Sequence, residues 1–332
     1  MTKTQTPDRS RPKMLLSSGT AELPDRYDPM VIKEIRQGLR ARRFALPFML
    51  VHIAATVAFA YEYFSMNAGD DAAPAVWMVA GAMMLVIMPL TGLGAMNGEL
   101  EGRNFELILF TDMTRWRVAR GKWLSAAAQG WLVFASILPY IIVRYFLGGI
   151  ELTETLVYCV FLLSGHAALT SLAVGAAGFE TVGKRISMLL GAWAGAGTCL
   201  GVCVAIAWSA MFEAGSQGIL WGLGNVLGFI AIAAAFVLGG MQLVRGAIRA
   251  FVHPLEPPPR ANAVALVLLS PFIIFATALI TCGTAPFTGG GLLFWIFLRM
   301  DPERRAALPY NRPIPPPTPP GGKSAFYQSE AL

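Results

Sequence analysis

Charged side chains are scarce in this chain: aspartate, glutamate, lysine and arginine together make up 14% of its 332 residues. Soluble globular proteins carry about 25% charged residues, because a water-facing surface needs them. Seven long stretches contain no charge at all: 44–61, 72–98, 123–143, 155–179, 186–212, 214–244 and 261–298. A helix needs about 20 apolar residues to cross the hydrocarbon core of a bilayer. These stretches exclude a soluble enzyme, a nucleic-acid-binding domain and a single membrane anchor, and they predict an all-α, polytopic transmembrane bundle.

The basic residues lie on alternate sides of the predicted spans. Of the 26 lysines and arginines, 25 fall in the tail 1–43, the segment 97–122, the turn at 184–185, the loop 245–260 or the tail 299–332. The intervening turns are acidic or uncharged. Because cytoplasmic loops carry an excess of Lys and Arg, we place both termini in the cytoplasm. The exception, Arg144, is expected to snorkel from the outer end of its span to the interface.

The charge-free stretches divide the chain into about eight spans. Six form a core over 44–245, with spans at 44–64, 74–96, 123–147, 155–178, 186–211 and 218–244. The stretch 261–298 is predicted to be an extra transmembrane hairpin that turns at Gly283–Gly291, with a re-entrant hairpin as the alternative. We expect 1–27 to be a disordered cytoplasmic tail, 246–260 a Pro-rich cytoplasmic loop and 299–332 a Pro-rich cytoplasmic tail. No cleavable signal peptide is predicted, since the first apolar run follows 43 polar and basic residues.

The predicted spans offer little chemistry. Ion-coupled transporters commonly keep ionisable residues near the bilayer midplane, but the spans hold only Glu62 and Arg144, both near outer ends. A lone helical histidine such as His52 or His166 is more often packed and hydrogen-bonded than a proton relay. No metal-binding signature and no nucleophile motif is present. We therefore expect no catalytic residue, no metal and no cofactor on this chain.

Residues 28–43 are predicted to form a basic amphipathic helix in the membrane interface, just before the first span. Asp28 suits an N-cap and Pro29 the first helical position. One face is apolar, and the interface residues are Lys33, Glu34, Arg36, Arg40 and Arg43. Such a helix binds membrane lipid through its basic face.

The segment 97–122 is too charged to be embedded in a membrane and too apolar for a plain loop. The run Phe105–Phe110 suits a short helix with an exposed apolar surface, and Thr111 or Asp112 is expected to cap a second helix that runs through Trp116 and Val118. Exposed apolar surface rimmed by charge commonly marks a protein contact.

This segment resembles the cytosolic stretch after span two in the permease subunits of type 2 ABC transporters. The family pattern is roughly Glu-x-Glu-x-x-Thr-Leu-Glu-Leu-Leu-Leu-Thr-Pro-Leu-Ser followed by Gly-Lys. The residues in the matching positions here are Glu99, Glu101, Phe105, Glu106, Leu107, Ile108, Leu109, Thr111, Met113, Thr114, Gly121 and Lys122. Asn104 replaces the usual Thr, and Asp112 replaces the common Pro. The resemblance covers roughly residues 28–245. It implies that the segment docks on a separate ATP-binding cassette subunit, through Glu99, Glu101, Phe105, Glu106, Leu107, Leu109, Thr111, Asp112, Arg115, Gly121 and Lys122.

The resemblance further implies a subunit of an export pathway in a bacterial-type inner membrane. ATP and Mg²⁺ would be bound by the partner subunit, and the permease would form a homodimer or pair with a second permease chain. Two other functions stay open. The chain could be a scaffold of the same fold that does not transport, or, less readily, a membrane enzyme that acts on lipid. No residue pattern names a substrate.

Overall fold

The structure is a computed structural model that describes residues 29–67, 75–96, 114–147, 152–179, 181–213, 215–252, 260–281 and 285–300. Within these ranges it contains helices and no strand. The helices are α1 (Pro29–Arg40), α2 (Arg42–Asn67), α3 (Ala75–Gly94, counting its short π and 3₁₀ turns), α4 (Arg115–Leu147), α5 (Leu152–Ala177), α6 (Val182–Glu213), α7 (Gly215–Val252), α8 (Arg260–Thr281) and α9 (Ala285–Arg299).

Five of these helices are long and apolar enough to cross a membrane. They are α2, α3, α4, α5 and α7, over the ranges Phe44–Ser65, Ala75–Gly94, Arg115–Phe146, Leu152–Ala177 and Val226–Ile248. The predicted all-helical membrane protein is confirmed at this level. The total of about eight spans and the placement of both termini stay predictions.

The third predicted span begins earlier than the sequence indicated. The predicted helix through Trp116 and Val118 is present, and it continues as one helix, α4, from Arg115 to Leu147. The cap near its start is Thr114, whose Oγ1 accepts a hydrogen bond from the Arg117 backbone N–H at 3.3 Å. A hydroxyl that takes one of the free amides of the first turn starts a helix, and no proline interrupts the chain before the apolar run.

The entry helix also differs from its predicted extent. It begins at Pro29, as expected, but ends at Arg40, and Arg43 belongs to the first turn of α2. The chain bends at Ala41, where Ala41 N–H bonds to Gly38 O at 3.1 Å. This bend separates the entry helix from the first span.

Helix α5 lies at the centre of the bundle. Two thirds of its membrane-spanning window is buried, against 17% for α2. Three tryptophan indoles from its neighbours donate hydrogen bonds to its backbone carbonyls: Trp123 to Ala167 at 3.0 Å, Trp131 to Leu163 at 3.5 Å and Trp193 to Leu169 at 3.4 Å. A carbonyl in a helix has a second lone pair free for such a donor.

Small residues let α5 and α7 pack closely and in parallel. Ser171 Oγ donates to Val237 O at 2.7 Å, and a methyl group added to Gly240 would overlap the backbone of Ser171. One turn further, a Cβ on Gly175 would lie 3.0 Å from Gly240 O. Lipid tails are as apolar as the side chains of a helix, so the hydrophobic effect does not drive helices together in a membrane. Close packing of small residues is one of the contacts that hold them together instead.

The stretch 261–298 forms two antiparallel helices. Val267 of α8 and Phe297 of α9 both lie against Gly239 of α7, and Gln242 Nε2 donates to Phe297 O at 3.2 Å. Helix α9 therefore runs parallel to α7 and returns the chain to the end of the bundle where α7 ends.

The turn of this hairpin is shorter than predicted. Residues 282–284 lie outside the described ranges, and Gly289, Gly290 and Gly291 belong to α9 rather than to a turn. A Cβ on Gly290 would lie 2.8 Å from Ile232 N. The glycines thus serve close packing of α9 on α7.

Candidate functional site

The structure describes only part of the predicted coupling segment. Arg115, Gly121 and Lys122 lie on the first two turns of α4. The other predicted coupling residues fall outside the described ranges: Glu99, Glu101, Phe105, Glu106, Leu107, Leu109, Thr111 and Asp112. The described residues that flank 97–113 are the end of α3 and the start of α4. We call the packing around these two helix ends the base of the stretch.

This base is a buried apolar cluster that joins five helices; we call it the base cluster. It gathers residues from α1, the end of α3, the start of α4 and the ends of α5 and α7. Its members are Met30, Met96, Val118, Ala119, Ala126, Val174, Ala177, Met241, Val244 and Ile248. Met96 precedes the 97–113 stretch and Val118 follows it, so the helices on both sides of that stretch pack in one cluster.

Lys122 closes the stretch at its base. The side chain is 1% exposed, and its Nζ donates to Ala95 O at 2.8 Å and lies 3.5 Å from Glu34 Oε1. Ala95 stands at the end of α3, where backbone carbonyls lack helical donors and favour a cation. Lys122 thus joins the two helices that flank residues 97–113, α3 and α4, and connects both to α1.

Helix α1 packs on α4 rather than lying free in the interface. A Cβ on Gly121 would lie 3.0 Å from Met30 Cγ, and Gly38 faces the side chain of Gln129. Met30, Glu34 and Gly38 are spaced four residues apart and share one helix face. Glu34, which the sequence predicts as a membrane-interface residue, has its carboxylate 3.5 Å from Lys122 Nζ. Lys33, Arg36 and Arg40 are exposed.

A second contact chain leads from the base cluster toward the C-terminal hairpin. The Arg245 guanidinium lies 5.5 Å from the centre of the Trp116 ring, within the range of a cation–π interaction. Arg245 Nη1 donates to Gln242 Oε1 at 3.2 Å, and Gln242 in turn donates to α9. The sequence indicates Arg245 only as a cation of the loop 245–260. The signal for its contact with Trp116 is weak: Arg245 follows a charge-free run, and Trp116 stands near the start of a helix.

His166 occupies a different part of the bundle, against a π turn in α3. Met88 N–H bonds to Met83 O, and Pro89 has no N–H to donate. The carbonyl of Met84 is thereby left for a donor outside the helix, and His166 Nδ1 donates to it at 2.9 Å. A methyl group on Gly130 would overlap the imidazole, so α4 also encloses it. His166 is thus a packed, hydrogen-bonded residue.

The other end of the bundle carries a buried ion pair. Arg144 Nε lies 2.7 Å from Glu62 Oε2, and the two side chains are 7% and 2% exposed. Glu62 Oε1 also accepts the Val76 backbone N–H at 2.9 Å, at the first turn of α3. The expectation that Arg144 snorkels to the interface is therefore wrong. A carboxylate on a neighbouring helix is within reach, and pairing compensates both charges.

Comparison of the chain with protein-family models, with curated proteins and with solved structures finds no match to any of them. Among the described residues, no group of three His, Cys, Asp or Glu side chains is placed to hold a metal ion. The described residues provide two connections: Lys122 joins α4 to the end of α3 and to α1, and the base cluster joins five helices.

Proposed function

We propose that this chain is the permease subunit of a type 2 ABC transporter, which forms an export pathway and is driven by ATP hydrolysis on a separate subunit. The permease has about eight spans and both termini in the cytoplasm of a bacterial-type inner membrane. It acts as a dimer with an identical or a second permease chain. ATP and Mg²⁺ bind to the partner subunit.

The observation that carries the proposal is the closed base of the 97–113 stretch. A docking element transmits force only if both of its ends are fixed to the parts that must move. The Lys122 side chain in α4 bonds to Ala95 O at the end of α3, so the helices on both sides of the stretch are joined. The base cluster extends this contact to α1, α5 and α7. Packed elements of this kind shift between discrete arrangements rather than deforming continuously.

The position of the buried charges also favours an external energy source. Lys122 and Arg245 lie at one end of their helices, and the Glu62–Arg144 pair lies at the other end of α2 and α4. An ion-coupled carrier needs a group near the midplane whose charge or coordination changes during the cycle. In the described part of the spans, His166 is a buried histidine at depth, and it is bonded to Met84 O.

The first test is whether a neighbouring reading frame encodes an ATP-binding cassette subunit. That subunit is then co-expressed with the tagged permease and captured from detergent. The proposal expects capture with the natural chain, and loss of capture in Glu106→Lys and Leu109→Asp. Asp70→Lys is the matched control, because it reverses a charge in the turn predicted on the opposite side of the membrane.

Capture that survives in both docking variants would overturn the docking assignment. Flux in vesicles separates the transporter from the scaffold alternative once a substrate is known. Export that requires ATP supports the transporter, and flux driven by a pH or sodium gradient without nucleotide would refute it. A chain that captures the ATPase but never stimulates its hydrolysis would indicate a scaffold.

A further inference from the structure

A groove of about 660 Å³ lies on α1, on the side turned away from α4. It is lined by Ile32, Lys33, Arg36, Gln37, Arg40 and Ala41. Three of these six side chains are cations and none is acidic. The basic side chains fall at positions 33, 36 and 40, so successive turns of the helix present them to the same side. The groove is therefore a concentrated positive site, not a scattered surface charge.

The residues of α1 divide into three stripes, each with a different environment. Met30, Glu34 and Gly38 face α4 and are held by Gly121, Lys122 and Gln129. Val31, Ile35 and Leu39 form an apolar stripe that is only partly covered, and Leu39 is 39% exposed. The basic groove is the third stripe, with the apolar side chain of Ile32 at its border. With the inward face already occupied by α4, the two remaining stripes offer an apolar surface beside a cationic one.

The groove ends at the bend that leads into the first span. Ala41 closes it, and an exposed apolar stripe begins a few residues later on α2 at Leu46, Met49, Leu50 and Ile53. These four side chains are each about 60% exposed. A positive groove that is followed along the chain by a bare apolar helix face complements a molecule with an anionic head and an apolar tail.

We infer that this groove binds the phosphate headgroup of an anionic phospholipid. The three cations contact the phosphate, and the acyl chains lie along the exposed face of α2. Basic residues near an anionic membrane surface attract its lipids strongly, and a groove adds a fixed geometry to that attraction. This site does not rest on ATP-driven transport, because lipid binding and ATPase capture are separate measurements and either can fail alone.

The test titrates the full-length protein in detergent with phosphatidylglycerol and, separately, with phosphatidylcholine of the same chains, and follows binding by native mass spectrometry. We expect the anionic lipid to bind at least tenfold more tightly. The combined variant Lys33→Gln, Arg36→Gln, Arg40→Gln should weaken phosphatidylglycerol binding about 100-fold, since each cation contributes roughly a fivefold factor. The charge-preserving variant Lys33→Arg, Arg36→Lys, Arg40→Lys should retain it.

The matched control removes three basic residues from the same predicted side of the membrane but outside the groove: Arg117→Gln, Arg120→Gln, Lys184→Gln. It should leave lipid binding within about twofold. An equal loss in this control, or equal binding of the two lipids, would overturn the site. So would displacement of the lipid by millimolar inorganic phosphate or by an acidic peptide, which would assign the groove to a free anion or to a protein. If the triple variant does not fold, Arg36→Gln and Arg40→Gln singly should each weaken binding about fivefold, and no loss in either would refute the proposal.

Discussion

The two ion pairs buried in this bundle each bond to a backbone group as well. Lys122 donates to Ala95 O and lies beside Glu34, while Glu62 accepts from Val76 N–H and pairs with Arg144. An isolated buried ion is costly, so removal of one partner destabilises a protein far more than removal of both. Each of these pairs thus sets which helix ends must lie together.

Replacement of Arg144 by Met should destabilise the protein by about 3–5 kcal/mol, because it leaves the Glu62 carboxylate buried beside an apolar group. The double variant Glu62→Gln, Arg144→Met should recover part of that loss, since a neutral amide oxygen still accepts the Val76 N–H. The measurement is thermal or denaturant unfolding in a fixed detergent.

The exchange of the two charges provides the control. In Glu62→Arg, Arg144→Glu the Coulomb attraction is kept, but an arginine has no acceptor for Val76 N–H. This variant should therefore stay less stable than the natural protein. Full recovery would show that the carboxylate does not act as a cap for α3.

At the scale of the helices, a single proline explains an irregularity in α3 and the placement of a histidine in α5. Pro89 removes a backbone donor, the helix widens into a π turn over Met83–Ile87, and the Met84 carbonyl turns to His166. Isolated π turns within α-helices are commonly found at functional positions. Here the turn fixes α3 to α5 by a bond that neither helix provides alone.

The dependence of His166 on Pro89 can be measured with a double-mutant cycle. His166→Leu should cost about 1–3 kcal/mol, because the Met84 carbonyl loses its donor in a buried site. In a Pro89→Ala background the new N–H at position 89 can donate to that carbonyl, so the same substitution should cost less. The readout is the free energy of unfolding of the four variants.

A coupling energy near zero would contradict this account and would show that His166 acts only by filling space. Gly81→Ala is a suitable reference on the same helix, because a Cβ there has no neighbour within 4 Å. It should raise stability by about 0.5–1 kcal/mol, the gain of Ala over Gly inside a helix, in both the natural and the His166→Leu background.

At the scale of the whole molecule, the parallel course of α7 and α9 predicts on which side the chain ends. Helix α9 finishes beside Gln242, near the end of α7, so a fusion at Leu332 should report the same side as one at 184–185, in the first turn of α6. A fusion after residue 150 should report the opposite side. The measurement is a pair of reporters, one active only inside the cell and one only outside.

An external signal at Leu332 with an internal one at 184–185 would contradict the hairpin. It would leave a single crossing in 261–298. The fusions at Leu332 and after residue 150 leave every described helix intact, and the one at 184–185 falls in the first turn of α6.

The helices could be predicted from the sequence, whereas their partners could not. Runs without charge locate α2, α3, α5 and α7 because hydrophobic length is a local property. The contacts of Glu34 and Arg144 depend on which helix end comes to lie beside them, and no local pattern encodes that. The sequence therefore predicts both Glu34 and Arg144 at the membrane interface. It does not indicate Thr114 as the cap of α4. The family pattern within 99–112 stays a prediction, since those residues lie outside the described ranges.

The contact of Lys122 with Ala95 has a consequence for the connectivity of the chain. When the ends of a loop are already held together by folded structure, doubling its length costs only about 0.6 kcal/mol. The stretch 97–113 should therefore accept an inserted tag, and the protein should assemble from two co-expressed pieces divided within it. The first piece would carry α1 to α3 and the second α4 to α9, and each would bring one half of the Lys122 contact. The continuity of the polypeptide at this point would then matter to transmission of force and hardly at all to folding.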